Sequence, residues 1–200
     1  MTALIIFIVA ALLLLVFTFL RRKSPAMFRK IEAYARLNRA VGLAVEGGTR
    51  LHVSIGRGNL FTARGGSALA GLAMLRRLSE QTSISDNPPI VTSGDASLAI
   101  LSQDTLQSGF RAAGAEDQYR VTSGRLTGLT PFAFAAGTIP IMRDENISAN
   151  VVIGDLGAEA ALLADASEGK DTDLIAASDN LSAQSVLYAY SQEPLIGEEL

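Results

Sequence analysis

Eight residues have the side chains or backbone freedom to bind a small ligand, and they fall in three short segments. Each segment follows a run of β-branched or aliphatic residues, at the point where a buried strand would end. Glycine lets a backbone approach a ligand closely, arginine suits an anionic group, and aspartate accepts from hydroxyls or holds a cation. The eight are Gly56, Arg57, Gly58, Asn59, Ser93, Asp95, Gly154 and Asp155. These types favour polar ligand binding and do not define a reaction.

The same residues have a second interpretation as helix caps and turn formers. Ser, Asp and Asn are the preferred residues at helix N-termini, and Asp95 directly precedes the helical pattern ASLAILSQ. Asp155 and Glu159, four residues apart at the start of a helix, could share Mg²⁺ or act as acid and base. More often, such a pair complements the helix dipole.

The most glycine-rich loop, IGRGNLFTARGGSALAG, argues against a nicotinamide cofactor. A dinucleotide fingerprint needs a third glycine three residues after the second, and that position is Phe61. No phosphate-binding Gly-Lys-Ser/Thr occurs in the sequence. Arg57 and Arg64 near a helix start indicate anion binding weakly, and no cofactor is identified.

Few residues in the sequence are candidates for catalysis. The single histidine, His52, falls within the first strand, where a hydrogen-bonded core or edge histidine is the usual finding. The chain has no cysteine, no Gly-x-Ser-x-Gly motif and no cluster of residues at metal-ligand spacing, so we expect no metal site. Enzymatic activity is therefore unsupported.

The elements that would position these residues repeat along the chain. The phrase VTSG occurs at Val91 and again at Val121, and VVIG follows at Val151. Strand, small-residue turn and helix recurring about every thirty residues indicate βα units, and nearly continuous apolar runs are typical of parallel strands covered on both faces. We predict an open, Rossmann-like α/β parallel sheet of about five strands. The predicted strands lie near 50–55, 88–92, 119–122, 150–153 and 173–177.

Right-handed crossovers with one reversal give the strand order 3-2-1-4-5. In open α/β sheets, ligands bind beyond the carboxyl ends of the strands where the order reverses. The predicted site therefore lies over the first and fourth strands, between residues 56–59 and 154–157.

The N-terminal segment predicts a transmembrane anchor over residues 1–20. Residues 3–20 contain one polar side chain, Thr18, and as a helix they would rise about 27 Å, close to the hydrocarbon thickness of a bilayer. A cleaved signal peptide would have a basic start and a shorter apolar run.

The charges around this segment predict its orientation and a lipid partner. Residues 21–64 hold ten Arg or Lys against two Glu, whereas residues 65–200 hold seven against eighteen acidic residues. The positive-inside rule places the N-terminus outside and the α/β domain in the cytoplasm of a single-pass cell-membrane protein. Residues 21–44 predict a basic juxtamembrane helix, which either packs on its own domain or lies on anionic headgroups. A net charge of −3 does not indicate a nucleic-acid partner.

Several stretches resemble an uncharacterised family of bacterial membrane-anchored proteins known only as a domain of unknown function. They include EGGTRLHVSIGRG, VTSGDASLAILSQDTLQSGFRAAG and SQEPLIGEEL. The resemblance covers most of residues 45–200, the span predicted for the α/β domain, and implies no catalytic residues. It also implies that the domain continues beyond Leu200 in relatives.

Two classes of function follow from these observations. The first is a non-enzymatic, membrane-anchored module that binds a small ligand or a partner, either a second copy of the chain or another membrane protein. The alternative is an enzyme acting on a nucleotide or sugar-type substrate, with Asp95, Asp155 and the Arg57 loop at the site. Because there are few candidate catalytic residues, the sequence favours the first class, the non-enzymatic module.

Overall fold

The computed structural model of the chain describes residues 2–23, 30–62, 65–144, 146–168, 172–191 and 194–196. They belong to two compact units, Met1–Ile31 and Glu32–Leu200. Some sequence predictions concern residues outside the described ones: Arg64 in the glycine-rich loop, residues 24–29 of the basic segment, and residues 197–200 at the end of the chain.

The first unit contains helix α1, Thr2–Lys23. Its segment Thr2–Arg21 has a mean hydropathy of 3.2 and is long and apolar enough to cross a membrane. The hydroxyl of Thr18 donates to the carbonyl oxygen of Leu14 at 2.7 Å, so the one polar side chain of the apolar run is satisfied within the helix. Such an internal bond lowers the cost of placing a hydroxyl in hydrocarbon.

The second unit is built on a six-stranded sheet in the order β3-β2-β1-β4-β5-β6, with every neighbouring pair parallel. This confirms the predicted fold class and the order 3-2-1-4-5, to which β6 adds an edge strand of two residues. The strands are β1 (Arg50–Ser54), β2 (Ile90–Ser93), β3 (Gly124–Leu126), β4 (Ile147–Ile153), β5 (Asp173–Ser178) and β6 (Leu195–Ile196).

Helices cover both faces of the sheet, because a parallel sheet leaves neither face to solvent. Helices α2, α3 and α4 pack together on one face, and α5, α6 and α7 pack on the other with Val152 and Ala176 of the sheet. The helices are α2 (Glu32–Gly47), α3 (Gly65–Thr82), α4 (Ala96–Ala112), α5 (Pro131–Asp144), α6 (Ala160–Glu168) and α7 (Leu181–Tyr190).

The prediction for the third strand was wrong. The second copy of VTSG does not form a strand: Val121–Ser123 is a single 3₁₀ turn, and β3 begins only at Gly124. In the first copy, β2 includes Val91, which is fully buried between strands on both sides, whereas Val121 is 63% exposed. The same four letters therefore occupy different environments, and the repeat does not mark one recurring junction.

The described part of the basic segment packs on its own domain. Helix α2 buries an apolar stripe that includes Leu37, Val41 and Ala44 against the sheet and α3. Arg39, on the opposite side of the helix, is exposed. The apolar stripe at helical spacing thus explains why the segment folds with the α/β unit.

Helix ends largely follow the sequence signals. Asp95 caps α4, and Gly114, just past its end, has φ +73°. Helix α5 begins at Pro131, because the fixed φ of proline suits the first helical position and its missing N–H has no partner there. Pro140 lies within that helix. Because proline has no N–H, it removes one backbone hydrogen bond there.

Candidate functional site

The turns after β1, β2 and β4 contact one another through their backbones. Arg57 N–H donates to the carbonyl oxygen of Asp155 at 3.1 Å, and Gly94 N–H donates to that of Gly56 at 2.9 Å. Gly56 and Gly154 adopt φ of +71° and +128°, which glycine reaches at little cost. The structure thus brings together the two segments between which the ligand site was predicted, residues 56–59 and 154–157. Their main chains are in direct contact.

One ion pair joins two of these turns. Arg57 Nε lies 2.7 Å from Glu159 Oε1, and the Glu159 side chain is 1% exposed while that of Arg57 is 24% exposed. Gly94 leaves room for the arginine, since a Cβ there would lie 2.2 Å from Arg57 Cγ. The arginine side chain therefore reaches from the β1 turn, past the β2 turn, to the start of α6.

The environment of Glu159 keeps its carboxylate ionised. Burial favours the neutral acid, but the hydrogen bond from Arg57 and those from the backbone N–H groups of Gly157 and Glu159 outweigh it and lower the pKa of Glu159. A buried carboxylate with a lowered pKa is a weak base at neutral pH. Its chemical role is therefore to hold and orient the Arg57 guanidinium.

Two predicted residues act as a cap and a turn former. Asp95 Oδ1 accepts from Leu98 N–H at 3.1 Å and from the Ser97 hydroxyl, which makes Asp95 the N-cap of α4. Asn59 Oδ1 accepts from Phe61 N–H at 2.8 Å in an Asx turn. In both residues the side-chain oxygen therefore accepts hydrogen bonds from neighbouring residues in the sequence.

The other predicted residues line the contacts between the turns. Ser93 is buried and its hydroxyl lies 3.4 Å from the carbonyl oxygen of Asp95. A Cβ at Gly58 would lie 3.3 Å from Asp155 Cβ, which is a tight fit. Asp155 itself contributes its main-chain carbonyl to the β1 turn.

Sequence reasoning missed the pairing of Arg57 with Glu159. It considered Glu159 only together with Asp155, as a pair that shares Mg²⁺, acts as acid and base, or complements the helix dipole. The signal in the sequence was the setting of Glu159 within LGAEAALL, because an acidic residue among alanines and leucines at a buried helix start needs a cationic partner. That partner is 102 residues away, so local sequence did not identify it.

The single histidine lies within the core and away from these turns. His52 is fully buried, with Nδ1 3.0 Å from Asn150 Oδ1 and Nε2 2.9 Å from Thr92 Oγ1. Burial lowers the pKa of His52 to about 4, opposed by the Asn150 hydrogen bond and assisted by the charge of Arg125. The prediction of a hydrogen-bonded core histidine is confirmed.

Within the described ranges, no group of three or more His, Cys, Asp or Glu residues is placed to hold a metal ion. A family model described as "Domain of unknown function (DUF6754)" matches residues 1–200. No curated protein and no solved structure matches the chain.

Proposed function

We propose that this chain, which belongs to the DUF6754 family, is a membrane-anchored module that binds a small ligand through an oxyanion group at Arg57, without catalysing a reaction. The observation that carries the proposal is the orientation of one arginine by one buried carboxylate at the reversal of strand order. Ligands of open α/β sheets are bound at that position.

The Arg57 guanidinium keeps its capacity to bind an oxyanion. Glu159 takes the Nε hydrogen, and among the described residues neither terminal nitrogen has a hydrogen-bond partner. A guanidinium presents its donors as a planar fork that fits carboxylate or phosphate oxygens. Because its geometry is fixed before binding, less conformational entropy is lost on binding.

The N-termini of α4 and α6 contribute little to anion binding. The Asp95 carboxylate caps α4, and the Glu159 carboxylate accepts from N–H groups at the start of α6. The starts of α4 and α6 therefore already carry a negative charge. Arg57 supplies the positive charge for an anionic group at these turns.

A pair of variants tests the role of Arg57. Arg57→Ala alone would leave Glu159 as an unpaired buried charge, which destabilises the fold whether or not a ligand binds. The informative comparison is Glu159→Gln against Arg57→Gln/Glu159→Gln, because neither variant carries a buried charge at 159. We expect the second change to weaken binding by about 1.5–3 kcal/mol, roughly 10- to 150-fold in Kd.

Calorimetric titration of the full chain in mild detergent provides the measurement, with inorganic phosphate, pyrophosphate, AMP and citrate as probes. Loss of binding in the double variant alone supports the proposal. Equal affinity for every probe in the two variants would show that the ion pair only stabilises the turns.

The orientation of the chain is part of the proposal and has its own test. Helix α1 supports anchoring, and the basic residues that follow its apolar run support a cytoplasmic α/β domain. Because the chain has no cysteine, Thr2→Cys and Ser185→Cys each introduce one thiol at an exposed position. In intact cells an impermeant maleimide is expected to label the first and not the second. The opposite pattern would place the α/β domain outside.

Protein partners belong to the same proposal. Several large apolar side chains of the α/β unit are exposed, among them Phe61 (91%) and Leu181 (81%). Association with a second copy of the chain or with another membrane protein would cover such side chains.

A further inference from the structure

A cleft lies between α2 and α3, on the face of the sheet opposite His52. Its cavity volume is about 450 Å³, and its floor is formed by Leu78, Ile153 and Leu195, which are almost fully buried. Volumes of this size are typical of small-molecule sites. The space exists because α3 presents the small side chains of Ala70 and Ala73 where larger ones would fill it.

A second cavity of about 510 Å³ adjoins the first along the same two helices. The two share Asn38, Arg77 and Gln81, so these three polar residues stand between two apolar arms. The second arm is lined by Val41, Val45 and Ile84, of which Ile84 is 78% exposed, and also by the exposed Glu46. The surface is thus amphipathic, and the three polar residues that both cavities share lie where the cavities meet.

Arg77 supplies a positive charge at this centre. It is exposed, and among the described residues it forms no ion pair. The preceding residue differs: Arg76 Nε lies 3.3 Å from Glu80 Oε1 one turn further along α3. A cation that has no ion-pair partner in the described part of the chain, placed between these two arms, is complementary to a molecule with an anionic group and flexible apolar chains.

We propose that this cleft binds an anionic membrane lipid, with its phosphate at Arg77, Asn38 and Gln81 and its acyl chains along the two apolar arms. The inference rests on the membrane-anchoring part of the proposed function, because in the sequence only eight residues separate the end of α1 from the start of α2. A chain anchored through α1 is therefore held where anionic lipid is locally concentrated. The inference does not depend on ligand binding at Arg57.

The absence of tryptophan allows a direct test. Tyr34→Trp places a single fluorophore in the lining of the cleft, and Tyr188→Trp places a matched one on α7, across the sheet. The full chain in mild detergent is titrated with phosphatidylglycerol carrying dibrominated chains, which quench tryptophan at short range. Phosphatidylcholine with the same chains is the uncharged-head control.

We expect saturable quenching by phosphatidylglycerol in Tyr34→Trp and only weak, linear quenching in Tyr188→Trp. Adding Arg77→Gln is expected to weaken the apparent affinity for phosphatidylglycerol roughly tenfold, to the level of phosphatidylcholine, whereas Arg76→Gln leaves it unchanged. Adding Ala73→Leu, at an exposed position, fills the cleft and abolishes saturation for both lipids while far-ultraviolet circular dichroism stays native.

Three results would overturn the inference. Equal quenching of both reporters would indicate lipid in the detergent micelle rather than in the cleft. Equal effects of Arg77→Gln and Arg76→Gln would remove the specific role of Arg77. A monomer produced by Ala73→Leu from a self-associating chain would identify the occupant as a second copy. Release of α1 from membranes by alkaline carbonate would instead contradict anchoring itself, a separate failure.

Discussion

Gly154→Ala is expected to lower the free energy of unfolding by at least about 3 kcal/mol, because two independent penalties apply to it. Gly154 has φ +128°, a region that residues with a Cβ rarely adopt. A Cβ there would also lie 2.2 Å from the carbonyl oxygen of Ile55. That oxygen belongs to the backbone at the end of β1 and cannot move without disturbing the sheet.

Gly42→Ala is the matched control for this prediction. Gly42 lies within α2 and does not have a positive φ, and a Cβ added there would meet no atom within 4 Å. Alanine at this position is expected to stabilise the domain by about 0.5–1 kcal/mol. Urea denaturation of the chain in mild detergent, followed by circular dichroism, measures both changes. A native stability for Gly154→Ala would show that the β1 and β4 turns do not pack as described.

Acidification from pH 7 to pH 4 is expected to remove about 3 kcal/mol of stability through His52 alone. The pKa of His52 is lowered from 6.5 to about 4 in the folded chain, chiefly by burial. The unfolded chain therefore binds a proton between these values that the folded chain excludes. Stability from this source is complete above pH 6.5 and declines as the pH falls toward 4.

His52→Gln tests this prediction, because an amide can bond to Asn150 and Thr92 without titrating. The dependence of the unfolding free energy on pH between 7 and 4 is expected to flatten in the variant. Glu159, whose folded pKa is lowered from 4.5, also loses its stabilising effect on acidification, but this loss begins at a lower pH than the loss from His52. It is expected in both the original chain and the His52→Gln variant. An unchanged slope in His52→Gln would mean that the pKa of His52 is the same in the folded and unfolded chains.

The sequence allowed prediction of those strands whose signal is local. The run PPIVTSG before Asp95 combines a buried strand with a helix cap, and DLIAAS before Asn180 does the same. The strand order followed from the handedness of crossovers, which applies to any parallel sheet. Local pattern and general topology were thus sufficient for the fold class.

The third strand could not be predicted in the same way, because its environment is set by tertiary contacts. Gly124 pairs with Val91 and accepts a hydrogen bond from Gln103 of α4, and these contacts fix the start of β3. Nothing in the four letters VTSG contains that information. The Arg57–Glu159 pair was missed for a related reason: it depends on the register between β1 and β4, which brings distant segments together.

The pairing of β1 with β4 also affects co-translational folding. His52 and Asn150 are 98 residues apart in the chain, so at about 5–20 residues per second the ribosome completes β1 roughly 5–20 s before its neighbour β4. During that interval one edge of β1 has no partner strand, and His52 lacks its amide partner. Closing so long a loop costs entropy before any contact is gained. The nascent chain therefore presents an open strand edge, a surface that chaperones bind and that promotes aggregation when translation stalls before residue 150.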